Sequence, residues 1–219
     1  MSDTSPSAGL RERNMRDKQD RIFRSAAGLF SDHGFESVST NEIAKKAGVA
    51  SGTVFRYAAT KGELLLMVLN KELGQAIAAG AQRATSLPDT SAAITAMIVP
   101  ILEYAVAHPE NGRAYQRELL FGDPSDRYRA EGLALVLKLQ NTIAERLMAD
   151  AEKAGLQPDP NAALLVGNMI FGVVHLTLAR PSTGAHPDRD PVTDIQNQID
   201  AATAGYFHRL SPISPTKGS

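Results

Sequence analysis

The sequence predicts an all-α protein, with an N-terminal three-helix helix-turn-helix domain followed by a larger helical domain. Three observations lead there. Apolar residues recur at three- and four-residue steps in one segment after another. No stretch alternates as a half-buried strand would, and glycine and proline cluster between the periodic segments. The 219 residues, 43% of them hydrophobic, are enough for one large core or two modest ones.

Composition narrows the chemistry. There are no cysteines, which excludes disulfides, thiolate metal sites, iron–sulfur clusters and a cysteine nucleophile. Tryptophan is absent and aromatics are only 5%, which argues against an aromatic-lined carbohydrate or single-stranded nucleic-acid groove. The first fifteen residues are polar and unlike a signal peptide. The longest apolar stretch, Ala162 to Ala179, is interrupted by Asn168 and His175, so a buried helix is expected there rather than a membrane span. A soluble, cytoplasmic chain is the expectation. Residues 1–62 hold ten Lys/Arg against seven Asp/Glu, whereas residues 63–219 hold thirteen against seventeen. That asymmetry has the sign expected if the front of the chain meets phosphate.

Taken in order, residues 1–15 read as a flexible arm, with Arg11, Arg13 and Arg16 on a solvated terminus or, as the alternative, on an arm that meets the minor groove or phosphate. A first helix is expected from Arg16 to His33, with Ile22, Ala26, Leu29 and Phe30 on one stripe and Gly34 ending it. Ser39-Thr40-Asn41-Glu42 is a capping box that opens a short helix to Ala47. After the Gly48-Val49-Ala50 turn a third helix runs from Ser51 to about Tyr57, and Lys61 opens a longer one to about Arg83. Further helices are expected over 91–107, kinked by Pro100, then from Pro109 to Phe121, and from Asp123-Pro124 to Ala154. The last two span 161–180 and 192–210, and a disordered tail covers 212–219. The domains are therefore 16–62 for the head and 63–211 for the body.

Function shows in residues 39–61. Two short helices meet at a glycine-containing turn, where the small Ala44, Ala47 and Gly48 allow close crossing and Ile43, Val49 and Val54 supply the apolar contact. The second helix presents Ser51, Gly52, Phe55 and Arg56 outward. Such a corner suits the DNA major groove, although any αα corner uses glycine and alanine similarly.

At these residues the chain resembles the tetracycline-repressor family of bacterial transcription regulators. The resemblance is carried by Ala26-Ala27-x-Leu29-Phe30, Gly34-Phe35, Ile43-Ala44-x-x-Ala47-Gly48-Val49, Gly52-Thr53-Val54-Phe55-Arg56-Tyr57 and Lys61-x-Glu63-Leu64-Leu65, within residues 16–66. It implies a DNA-binding head joined to an all-helical domain that binds a small-molecule effector and dimerises. It implies Thr40 and Asn41 at a phosphate, Ser51, Gly52 and Phe55 at base edges, and Arg56 at a base or phosphate. Tyr57 and Lys61 fall at backbone phosphates, with Lys45 and Lys46 farther out. Three positions depart from the family's habit. Phe55 stands in place of a common Tyr, Ala50 in place of a capping Ser, and Ala58 in place of a large aromatic.

One corner contacts too few bases for genomic specificity, so a homodimer reading two half-sites of a double-stranded operator is expected, paired through helices 161–180 and 192–210. Tyr104, His108, Tyr115 and Phe121 are the candidate effector-binding residues. No cofactor, metal site or catalytic residue is expected: the five histidines form no H-x-x-x-H or Glu-x-x-His pair, and P-loop, Rossmann and Gly-x-Ser-x-Gly signatures are missing. The expected function is a ligand-responsive homodimeric repressor, not an enzyme. A DNA-binding protein answering to a protein partner, and a helical carrier or enzyme with a vestigial head, are the alternatives.

Overall fold

The computed structural model describes residues 6–184 and 188–213, with side chains from residue 12 onward. Among them are nine helices: α1 (Pro6–His33), α2 (Thr40–Ala47), α3 (Ser51–Val54), α4 (Lys61–Ala84), α5 (Thr90–Ala107), α6 (Pro109–Phe121), α7 (Arg127–Lys153), α8 (Pro160–Thr183) and α9 (Pro191–His208). The only pairing of β type among the described residues is an isolated bridge between Leu156 and Pro212.

Several boundaries differ from the sequence reading. The first helix starts at Pro6, so residues 6–15 are helical where an arm was expected. Residues 1–5 of that arm, and 214–219 of the expected tail, lie outside the described residues. Ser211 and Ile213 instead bond to the turn after α7, through Gln157 N–H to Ser211 O at 2.8 Å and Ile213 N–H to Gly155 O at 2.9 Å. The seventh helix begins at Arg127 rather than Asp123. Asp123 Oδ1 accepts from Ser125 N–H (2.8 Å) and Oγ–H (2.7 Å), closing a turn, and Asp126 accepts from Tyr128 N–H at 2.7 Å and takes the capping place.

The chain forms two compact units. One comprises residues up to Glu72 together with His108–Gly132. The other comprises Leu73–Ala107 and Leu133–Ser219. Helices α4 and α7 contribute residues to both.

In the first unit Ile22, Ala26 and Phe30 of α1, Ile43, Ala44 and Ala47 of α2, and Val54 of α3 are buried, and Phe30 and Phe35 meet at 5.7 Å between ring centroids. Helix α6 lies against this core. Asn111 Nδ2 donates to the Phe30 carbonyl at 2.7 Å, and the Glu110 carboxylate accepts from Glu36 N–H at 2.6 Å. Gly34, at φ 77°, takes the left-handed turn that ends α1 beneath that carboxylate, where an added Cβ would be 2.8 Å from Glu110.

The second unit is built on an aliphatic core that includes Ile94, Ile98, Leu102, Ile143, Leu147, Ala163, Ile170, Ile195 and Ile199, with Tyr206 closing it. Helix α9 packs on both α8 and α5. Asp159 caps α8 by accepting from Asn161 and Ala162 N–H, and Asp190 caps α9. Helices α4, α5 and α8 are long and apolar enough to cross a membrane by length and composition. Here they direct Ile77, Ile94 and Ile170 among other side chains into this core. Pro100 sits inside α5, buried, and the helix continues through it.

Candidate nucleic-acid interface

Helix α2 is held at both ends by its own sequence. Ser39 Oγ accepts from Glu42 N–H, and the Glu42 carboxylate accepts in return from Ser39 N–H at 2.8 Å. These bonds from the Ser39 backbone and hydroxyl keep the Glu42 carboxyl below the usual carboxylate range. At the other end Gly48 adopts φ 63°, and Val49 N–H donates to Ala44 O at 3.1 Å. That left-handed residue turns the chain so sharply that α3 starts three residues later.

Helix α3 has Ala50 at its cap, which makes no side-chain capping bond. The helix is shorter than the expected 51–57. Beyond Val54 the backbone tightens into three-residue bonds, Arg56 N–H to Thr53 O and Tyr57 N–H to Val54 O. Only Val54 of the helix is buried. Ser51, Gly52, Phe55 and Arg56 are exposed, Phe55 by 49%, an uncommon setting for a large apolar ring. Thr40 is half-buried and Asn41 exposed, and Ser51 Oγ–H donates to Asn41 Oδ1 at 2.9 Å, joining the starts of the two helices. Lys45 and Lys46 are exposed on the outer side of α2.

Tyr57 and Lys61 are half-buried and already engaged. The Tyr57 hydroxyl donates to Met15 O at 3.0 Å, in the stretch expected to be an arm. The Lys61 ammonium donates to Phe35 O at 2.9 Å and Glu36 O at 3.3 Å and lies 4.3 Å from the Phe35 ring centroid. Of its three donors, two are thereby used. Arg16 pairs with Glu12 at 2.6 Å, and Arg13 is exposed. The Arg11 side chain lies outside the described residues.

Sequence reasoning missed a clamp on the end of α3. The Tyr57 carbonyl accepts from Arg127 Nη2 at 3.0 Å and from the Tyr128 hydroxyl at 3.2 Å, and Arg127 stacks 4.4 Å from the Tyr128 ring centroid. Burial pushes the Tyr128 phenol up from its ordinary value, away from neutral pH. Beside the clamp is a cleft of about 330 Å³ lined by Phe55, Arg56, Glu63, Asp126 and Arg127 among others. Nothing in the local sequence joins residues seventy positions apart.

The four expected effector residues are divided. Tyr115 is half-buried and donates to Asn70 Oδ1 at 2.7 Å, while Asn70 Nδ2 donates to Tyr128 O at 2.7 Å. Phe121 is 82% exposed at the end of α6. Tyr104 and His108 are half-buried, Tyr104 in the second unit and the other three in the first. None of the four lines the cleft beside α3.

Comparison with known proteins places this arrangement. Residues 22–68 match the family described as bacterial regulatory proteins, tetR family. Over 188 residues the chain is 29% identical to the HTH-type transcriptional repressor KstR of Mycolicibacterium smegmatis, covering 85% of each protein. It is 27% identical to KstR of Mycobacterium tuberculosis over 187 residues, 85% of this chain and 79% of that one. Its fold resembles FadR of Thermus thermophilus, a TetR-family transcriptional repressor solved with lauroyl-CoA, at TM-score 0.66 and 24% identity over 91% of this chain and 99% of that one. The matched segment runs from the core of α1 through the exposed corner into α4, and over it the chain is similar to the tetR family of bacterial regulatory proteins.

Proposed function

We propose that this protein is a homodimeric, ligand-responsive repressor that acts in the cytoplasm on a double-stranded operator and leaves it when a small molecule binds. The observation that carries the DNA-binding part is the exposed outer face of α3, Ser51, Gly52, Phe55 and Arg56, on a corner whose inner residues are sealed. Ser51 and Phe55 face base edges, Arg56 faces a base or phosphate, and Thr40 and Asn41 meet the backbone at the start of α2. Lys61 and Tyr57 support the interface mainly by holding the turn after α1 and the α1 backbone, with one ammonium proton of Lys61 left for a phosphate.

Dimerisation is supported by α8, which exposes Leu164, Leu165, Met169 and Leu176, and by α9, which exposes Ala201, Ala204 and Gly205. Effector control is supported by the relatives. FadR of Thermus thermophilus is described in complex with lauroyl-CoA and FadR of Bacillus subtilis in complex with stearoyl-CoA. An acyl-CoA thioester is therefore the first effector class to test.

The test is a footprinting titration with the DNA upstream of the protein's own gene, repeated across a salt series and an acyl-CoA series. The expected result is a footprint that weakens steeply with salt. At least one thioester should both release DNA and raise the unfolding temperature, because a ligand that favours the released state stabilises it. Absence of specific binding at low salt would leave a helical carrier as the better reading. Specific binding indifferent to every small molecule would favour control by a protein partner.

A further inference from the structure

Asn41 and Ser51 stand on different helices, and both are exposed. Their positions are not loose. The capping box pins the first turn of α2, Ile43 and Ala44 are buried beside Asn41, and the Gly48 turn sets where α3 starts. Across this fixed gap Ser51 Oγ–H donates to Asn41 Oδ1 at 2.9 Å.

That bond has a consequence for reading DNA. A serine hydroxyl carries a single proton, and here it is spent within the protein, leaving Ser51 only lone pairs to offer outward. The carbonyl of the Asn41 carboxamide is engaged, while among the described residues no partner takes up its two amide hydrogens. In the major groove guanine O6 and N7, adenine N7 and thymine O4 accept hydrogen bonds, whereas cytosine N4 and adenine N6 donate them. An unconstrained serine rotates its proton to suit either kind.

We infer that the Asn41–Ser51 hydrogen bond makes Ser51 an acceptor-only reader, selecting an amino-bearing base (cytosine or adenine) on the strand it faces, while Asn41 offers its amide protons to acceptors such as phosphate oxygens. Asn41 is thereby a specificity-determining residue for a base it does not touch. Exclusion of water in the bound groove strengthens the bond relative to the free protein. The inference rests on the reading of α3 as the groove-facing helix.

The experiment is selection of bound sequences from random double-stranded DNA by the full-length protein and three variants, each checked for wild-type helical content by circular dichroism. Wild type should prefer C or A over G or T at one position of each half-site by about three- to tenfold, the net worth of one hydrogen bond. Ser51→Ala should level that position and leave the others. Asn41→Ala should level the same position although Ser51 is intact, because the freed hydroxyl can turn either way. Asn41→Asp, which keeps the acceptor and loses the donors, should retain the preference while weakening binding to every sequence.

A preference at that position that survives Asn41→Ala overturns the inference. So does a wild-type preference for G or T that Ser51→Ala removes, or a Ser51→Ala variant that alters no position. Failure of the wild type to enrich any sequence, with salt-sensitive binding to all DNA, would be a different failure: it would fall on the operator-reading function itself and take this inference with it.

Discussion

A methyl group added at Gly80 would lie 2.5 Å from the carbonyl oxygen of Met97 and 2.8 Å from its Cα. Those are backbone atoms of α5, so no side chain can turn aside, and α4 would have to move away from α5. Gly80→Ala should therefore lower unfolding stability by about 1–3 kcal/mol in a denaturant titration, despite alanine's better helix propensity. His175 gives the pH counterpart. Burial pushes its pKa down to about 4 from an ordinary 6.5. Above pH 6.5 the ring is neutral folded or unfolded and pH has no hold on it. As pH falls from 6.5 towards 4 the unfolded chain takes up a proton that the folded chain refuses, so stability is lost across that window. The loss is about 2–3 kcal/mol by pH 4. His175→Gln should flatten this part of the stability profile, and an unchanged profile would show that His175 does not titrate in this way.

At the scale of elements, α6 is a brace for the head rather than a separate layer. Along its length Glu110 sits on the turn after α1, buried Asn111 holds the Phe30 carbonyl in the last turn of α1, and Glu118 lies over Gly62, where a Cβ would be 2.7 Å from its carboxylate. Asn111→Ala leaves the Phe30 carbonyl without that donor and should cost about 1–3 kcal/mol, read as a lower urea midpoint. Arg127→Ala removes one of two donors on the Tyr57 carbonyl at the exposed end of α3. It should weaken specific operator binding roughly three- to tenfold, by the worth of one charged hydrogen bond, with helical content unchanged. Elements whose ends are written locally were legible in the sequence: α2 has its capping box and its terminal glycine within ten residues, and its range, Thr40–Ala47, agrees with the expectation. The start of α1 was not legible, because polar residues 6–15 have no apolar stripe to mark a helix. At α7 two aspartates competed for the cap and the later one took it. The brace and the clamp escaped altogether, since α6 meets α1 some eighty residues away and Arg127 meets Tyr57 seventy away, separations that no periodicity encodes.

At the scale of the whole molecule the question is what the exposed side of α8 is for. Asn161, Leu164, Leu165, Asn168, Met169, Gly172 and Leu176 follow one another at helical steps, and the large apolar members are 39–74% exposed. An apolar stripe of this length is costly to leave in water, which supports the proposed pairing surface. On α9 the exposed Ala201, Ala204 and Gly205 are small enough for a second helix to come close, and an added Cβ at Gly205 would meet nothing in the protomer. In the proposed dimer two α8–α9 pairs would make a four-helix arrangement with two-fold symmetry, and the same symmetry would supply two reading heads. Met169→Asp tests this. A carboxylate at the centre of the stripe stays hydrated in the protomer, whose stability should change by less than about 0.5 kcal/mol. In a dimer it would be buried opposite its own copy. Sedimentation should then show a monomer with wild-type circular dichroism, and the footprint on a two-half-site operator should vanish while salt-sensitive binding to arbitrary DNA survives. A dimer that persists with Met169→Asp would place the pairing surface elsewhere on the chain.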